Sequence, residues 1–228
     1  MYLSKVEIDP RRRLARKFLG SPQAMHAVVA KAAGATERDV EGRVLWRIDR
    51  SFSDTLLYIL SPQAPDCSQL EQEAGVVGSV TRTLDYRPFL DRLANGQEWS
   101  FRLTANPARA VAQGPNKRSK VVGHVTVEEQ REWLTTRAQQ HGFELLTVAG
   151  VEPDSPDVTA SVVRREKPVF RRNRADGGRD TVTINKVVFE GVLRVTDADP
   201  FRRVLIKGLG RSKAYGCGLL TLARPSQA

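Results

Sequence analysis

The chain has 228 residues, 40% of them hydrophobic, and a formal net charge of +10. That length holds one large domain or two small ones. No apolar run approaches the roughly 20 residues of a membrane helix, and the opening Met1-Tyr2-Leu3-Ser4-Lys5-Val6 alternates like a strand, unlike the charged-then-apolar layout of a signal peptide. Cys67 and Cys217, the two cysteines, offer neither a disulfide framework nor a zinc site. A cytoplasmic protein with no metal, cofactor or membrane partner is the expectation.

In chain order, a strand over Tyr2–Ile8 is followed by a basic linker from Arg11 to Lys17. A helix comes next, with Ser21 as N-cap, Pro22 at its first position and Gly34 just past its end. Met25, Val28, Val29 and Ala32 form its apolar stripe. Strands are expected at Val44–Ile48 and Thr55–Leu60. The stretch Ala74–Leu93 reads as a strand near Val76–Thr83 and a short helix at Tyr86–Leu93. Asn95-Gly96 breaks the pattern and divides the chain into residues 1–94 and 95–228.

The second half restarts with a strand over Trp99–Asn106 and a basic loop or hairpin to Lys120. Thr126 and Glu129 form a capping box for a helix ending near Gly142. Strands follow at Phe143–Val148, Val158–Arg164 and Thr181–Val195. A helix starting at Pro200 is capped by Asp197 or Asp199, and a strand over Gly218–Leu222 closes the chain. Each half approximates β-α-β-β-α-β, so the expected class is α+β, two tandem ferredoxin-like (RRM-like) domains, the second with an additional basic β-hairpin. The aromatic motif of a standard RRM is missing from both halves.

Charge is clustered. The runs Pro107–Lys120, Arg164–Arg174 and Arg202–Lys213 carry +4, +5 and +5, which leaves the rest of the chain slightly acidic. That pattern is the footprint of a polyanion binder. The last run leads into Lys207-Gly208-Leu209-Gly210-Arg211-Ser212-Lys213-Ala214-Tyr215-Gly216-Cys217-Gly218, two Gly-X-Gly pairs around a basic pentapeptide. Backbone N–H groups in such turns can hold phosphate. The loop follows a helix and precedes a strand, the reverse of a P-loop or dinucleotide fingerprint, and the phosphate is read as belonging to RNA.

The C-terminal segments Phe189-Glu190-Gly191-Val192-Leu193, Asp197–Phe201, Gly208-Leu209-Gly210 and Gly216-Cys217-Gly218-Leu219-Leu220 resemble those of the CasE family, the CRISPR repeat-processing endoribonucleases of the type I-E system. Phe101-Arg102-Leu103-Thr104-Ala105-Asn106-Pro107 and the opening Met1–Val6 are similar to that family as well, so the resemblance runs end to end. It implies two ferredoxin-like domains that bind the stem-loop of a CRISPR repeat in precursor RNA. It also implies metal-independent cutting at the hairpin base, leaving a 5′-hydroxyl and a 2′,3′-cyclic phosphate. The protein would then keep the mature guide RNA and join the other subunits of the Cascade complex. A non-catalytic hairpin-RNA-binding scaffold is the alternative reading, and a double-stranded DNA binder would use the same charge.

Metal-free RNA cleavage needs a base for the 2′-hydroxyl, an acid for the leaving 5′-oxygen and positive charge at the phosphorane. Histidine suits proton transfer, and the chain has His26, His124 and His141. The resemblance assigns catalysis to His26, as either acid or base. Some family members carry a tyrosine one turn earlier, where this chain has Gln23, which cannot transfer protons near neutrality. Gln23 and Lys31 are candidate supporting residues, although Lys31, five positions on, lies about 140° around the helix. His124 and His141 read as structural, His141 as a cation favoured by a helix C-terminus. Candidate RNA contacts are Arg164, Arg165, Lys167, Arg171 and Arg172, with Arg174, on the hairpin, and Lys207, Gly208, Gly210, Arg211, Lys213, Gly216 and Gly218 at the glycine loop. Tyr215, Trp99 and Phe101 are expected to pack rather than stack on bases.

Overall fold

The computed structural model describes residues 1–34, 43–114, 119–147, 160–173 and 178–225. The first half runs β1 (Tyr2–Glu7), α1 (Arg13–Gly20), α2 (Pro22–Ala32), β2 (Leu45–Arg50), β3 (Thr55–Ser61), α3 (Ser68–Ala74) and β4 (Arg82–Asp85). Its strands form one antiparallel sheet in the order β2-β3-β1-β4. That is the ferredoxin-like arrangement, with α2 and α3 as its two crossovers.

Helix α4 (Arg87–Asp91) leads into the second half. There follow β5 (Glu98–Ala105), a hairpin of β6 (Ala108–Val111) and β7 (Lys120–Gly123), α5 (Val127–Gln140), β8 (Phe143–Leu146) and β9 (Ser161–Glu166). A ribbon of β10 (Val169–Asn173) and β11 (Arg179–Thr183) precedes β12 (Lys186–Val195), α6 (Ala198–Lys207), a 3₁₀ turn (Lys213–Tyr215) and β13 (Leu220–Ala223). The order β13-β5-β12-β8 repeats the first sheet's arrangement, and β9 pairs with the free end of the long β12. The additional basic hairpin is therefore an insertion between the second and third strands of this unit.

Local chemistry explains most boundaries. Ser21 Oγ accepts the Ala24 N–H at 3.2 Å, and Pro22 opens α2 as expected. Thr126 and Glu129 close both bonds of the capping box, at 3.2 and 3.3 Å. Asp197 is the cap of α6, which begins at Ala198, two residues before the proline.

Three expectations need correction, and one helix, α3, was not foreseen. The basic linker is α1, whose Leu14, Ala15, Phe18 and Leu19 pack onto the first core while its arginines stay outside. The second crossover of the first half is α3; with only Leu70 and Ala74 buried, four positions apart, it has no apolar stripe to read. The strand drawn over Val76–Thr83 begins only at Arg82. The long strand over Thr181–Val195 is broken at Ile184-Asn185, where Ile184 N–H donates to Pro168 at 3.2 Å, so β11 leaves the main sheet and pairs with β10. Residues 148–159, and with them the start of the strand drawn from Val158, lie outside the described residues, as do Lys117, Arg118, Arg174 and the hairpin tip through Gly177.

The two sheets fall on either side of residues 94 and 95, whereas the larger core crosses that line. Leu45, Leu60, Tyr86, Leu90 and Leu93 of the first half are buried with Phe101, Leu103, Leu134, Phe143, Phe189 and Phe201 of the second. Phe101 is buried and Trp99 packs edge-on against Phe89 at 5.3 Å, both as packing residues.

Candidate active site

His26 sits in the first half of α2, one position after the fully buried Met25, so that part of its ring is held in the protein. Its Nδ1 is shut off from solvent and has no hydrogen-bond partner. A charge on this ring is poorly solvated on that side. Burial, and then the nearby Arg43 guanidinium, hold the imidazole below its ordinary value. Nε2 is left as the nitrogen able to meet a substrate. Gln23 is half-buried one turn earlier on α2. Lys31 is exposed and donates to Gln69 Oε1 on α3 at 2.7 Å, so its ammonium is turned away from His26.

The glycine loop comes up against this helix from the far end of the chain. Its 3₁₀ turn packs on α2 and on β2. Gly216 has φ 78°, and a Cβ there would lie 2.5 Å from the Trp46 ring of β2, so only glycine lets loop and strand meet. Gly208, Gly210 and Gly218 face Leu45, Trp133 and the Leu209 backbone. All four glycines thus have a packing reason distinct from backbone approach to RNA. Ser212 takes a left-handed φ of 61° and its Oγ accepts from Asn106 Nδ2 at 2.8 Å, which gives the Phe101–Pro107 stretch a part in shaping the loop. Tyr215 packs edge-on against Phe170 of β10 at 4.8 Å and ties the basic hairpin to the same loop. Cys217 is fully buried, and burial raises its thiol to about 11.

The hairpin's cations are only partly available. Arg164 pairs with Glu166 at 2.7 Å and Arg172 with Asp180 at 2.8 Å. Arg165 donates to the Val125 carbonyl. Lys167 lies in a separate recess with His124 and Asn185, and Arg171 is exposed. Exposed pairs of this kind contribute little and exchange readily for phosphate. Arg164 also borders a groove with Pro22, Met25 and Trp46, which brings the hairpin base to the start of α2. Lys207, Arg211 and Lys213 instead line a cavity between α5, α6 and the loop. His141 is the C-cap of α5 as expected, but burial, then Arg137 and Lys213, lower its imidazole, so it is not held as a cation there.

A family model described as CRISPR associated protein matches residues 1–224. The chain belongs to this family. The Thermus thermophilus protein named CRISPR-associated endoribonuclease Cse3 is 31% identical over 226 residues, covering 98% of this chain and 100% of that one. The Escherichia coli CRISPR system Cascade subunit CasE is 29% identical over 181 residues, 75% of this chain and 81% of its own. The structure of Thermus thermophilus Cse3 bound to an RNA representing a pre-cleavage complex superposes with a TM-score of 0.74 at 28% identity, covering 97% and 98% of the two chains. The Escherichia coli Cas6e crystal structure, at 23% identity and a TM-score of 0.57, agrees in fold.

In this CRISPR associated protein the two halves are pinned by one side chain that sequence reading passed over. Arg47 of β2 is 2% exposed. Its Nε and Nη2 donate to the two oxygens of Asp49, each at 2.8 Å. Nη1 donates to the carbonyls of Arg102 at 2.8 Å and Leu219 at 3.0 Å, and Nη2 also donates to Thr221 Oγ1 at 2.8 Å. All five guanidinium N–H groups are therefore matched, and three of the acceptors belong to the second half. Arg102 extends the network to Asp49 at 3.3 Å and to Glu190. Arg43 and Arg47 carried no motif, and Asn106 stood in the Phe101–Pro107 stretch with no role of its own; each is recognisable only from the contact it makes across the fold.

Proposed function

We propose that this chain is the endoribonuclease that processes CRISPR precursor RNA: it binds the repeat stem-loop, cuts at the hairpin base, and keeps the mature guide RNA within a Cascade-type assembly. The observation that carries the reading is His26, a neutral imidazole on a rigid helix, set where a cation-rich loop and a basic hairpin converge. The ordinary imidazole value is about 6.5, and lowering it leaves His26 uncharged at pH 7. With its one proton on Nδ1, that form takes the 2′-hydroxyl proton at Nε2. The 2′-oxygen then bonds to phosphorus, the bond to the 5′-oxygen breaks, and that oxygen takes a proton from water. The products are a 2′,3′-cyclic phosphate and a 5′-hydroxyl. Cations at the glycine loop would stabilise the phosphorane charge.

Repeat RNA carrying one 2′-deoxy nucleotide at the cut site tests this directly. The expected outcome is normal binding and no cleavage, with the unmodified RNA cut equally well in EDTA. Cleavage of the deoxy substrate would overturn the mechanism. A scaffold role gains support from Gln23, which supplies no proton-transfer group; it predicts tight binding with no cutting at any protein excess.

The charge of Arg43 bears on the same chemistry. Because Arg43 lowers the His26 value, Arg43→Gln should raise it. With His26 as base, the rate climbs as the imidazole loses its proton. The acidic limb of the single-turnover pH profile should therefore move to higher pH. A limb that stays in place or moves down would argue against His26 as base.

A further inference from the structure

The cavity between the end of α5, the body of α6 and the glycine loop has a volume of about 510 Å³. Arg137, Arg203, Lys207, Arg211 and Lys213 line it, with His141, and no carboxylate does. Among the described residues none of these five cations makes an ion pair. Arg47, Arg102, Arg164, Arg172, Arg194 and Arg202 all hold a carboxylate. Five like charges around one recess repel each other and favour an entering anion. Burial, then Arg43, lowers the Lys213 ammonium, and Lys213 in turn acts on His141. Arg43 thus influences both His26 and Lys213. The turn that begins at Lys213 packs on α2, so the recess opens next to the catalytic helix. Its volume suits a ligand of nucleotide size.

We propose that this cavity is a phosphate subsite for the RNA strand running on from the bond held at His26, with Arg137 of α5 and Arg203 of α6 as its ligands beyond the glycine loop. The inference rests on the reading of the protein as an RNA-processing enzyme. The strand here is single, because a recess of this volume between α5, α6 and the loop holds a group of nucleotide size and not the width of a duplex. Its phosphates take the place of the missing carboxylates.

Binding of stem-loop RNA with single-stranded flanks, made uncleavable by a 2′-deoxy nucleotide at the cut site, is measured against salt. Each single-strand phosphate contact contributes about 0.7 to the slope of log affinity on log salt. The Arg137→Gln/Arg203→Gln variant should therefore have a slope smaller in magnitude by about 1.4. Removing one of the two flanks should erase the difference, and removing the other should leave it. The control pair, Arg92→Gln/Arg224→Gln, lies in a different recess beside Phe89 and Trp99 and should keep the parent slope. An unchanged slope in the first variant, an equal loss in the control pair, or indifference to both flanks would overturn the subsite alone. No binding of the RNA by the unaltered protein would overturn the functional reading as well.

Discussion

Replacing His26 with alanine is expected to lower the single-turnover cleavage rate by about 10²–10⁴-fold, the usual contribution of a positioned proton-transfer group. Repeat-RNA affinity should stay within a few-fold of the parent. The two outcomes separate because His26 offers one ring nitrogen to the substrate while the cations that hold RNA stand on other elements. The fold should not suffer: the side chain is half-exposed, and Nδ1 makes no bond that alanine would break. His26→Gln refines the test, since it keeps a hydrogen-bonding group but cannot accept a proton near neutrality. It should be as slow as alanine. A glutamine variant that cuts at the parent rate would mean that His26 only orients the RNA.

The second large effect is expected at Arg47. Removing one partner of a buried, fully bonded charge typically costs about 3–5 kcal/mol, a large share of the stability of an ordinary domain. Arg47→Ala takes the donor from the Leu219 carbonyl, leaves the Arg102 carbonyl only the long bond from Thr221 Oγ1 at 3.5 Å, and deprives Asp49 of its bidentate partner. Arg102 still reaches Asp49 at 3.3 Å, which limits but does not remove the loss. Arg47→Lys keeps the charge but has three donors against five, so it should fall between the parent and alanine. Chemical denaturation followed by circular dichroism measures both variants. A midpoint for Arg47→Ala corresponding to less than about 1 kcal/mol of loss would contradict the role of this network as the clamp between the halves.

Local signals were legible where the chain states its own boundaries. Ser21-Pro22 before α2 and the Thr126/Glu129 box before α5 declare themselves because the cap and the N–H group it satisfies are three residues apart. Helix α1 was hidden by its arginines: charge dominates the stretch, although Leu14, Ala15, Phe18 and Leu19 already share a face. The break at Ile184-Asn185 was hidden by β-branched residues on both sides; the signal was Asn185, whose amide occupies the space that a Cβ on Gly123 would take. At the site, His26 could be nominated from resemblance, and the glycine loop from its own pattern. What made them one site could not be read locally. Trp46 fits Gly216, Arg47 bonds the Leu219 carbonyl, and Asn106 holds Ser212, and each contact joins segments far apart in the chain.

The contact between α2 and the 3₁₀ turn has a bearing on when the protein becomes active during its synthesis. Helix α2 is translated early and the glycine loop near the end of this sequence. Closing a loop of that length costs entropy that is recovered only when both sheets are in place. A ribosome-bound nascent chain can therefore fold its first sheet and cap α2, but His26 has no facing loop until Lys213–Gly218 leaves the exit tunnel. Stalled chains ending before residue 207 should cut no repeat RNA, although the hairpin cations from Arg164 to Arg172 are already made.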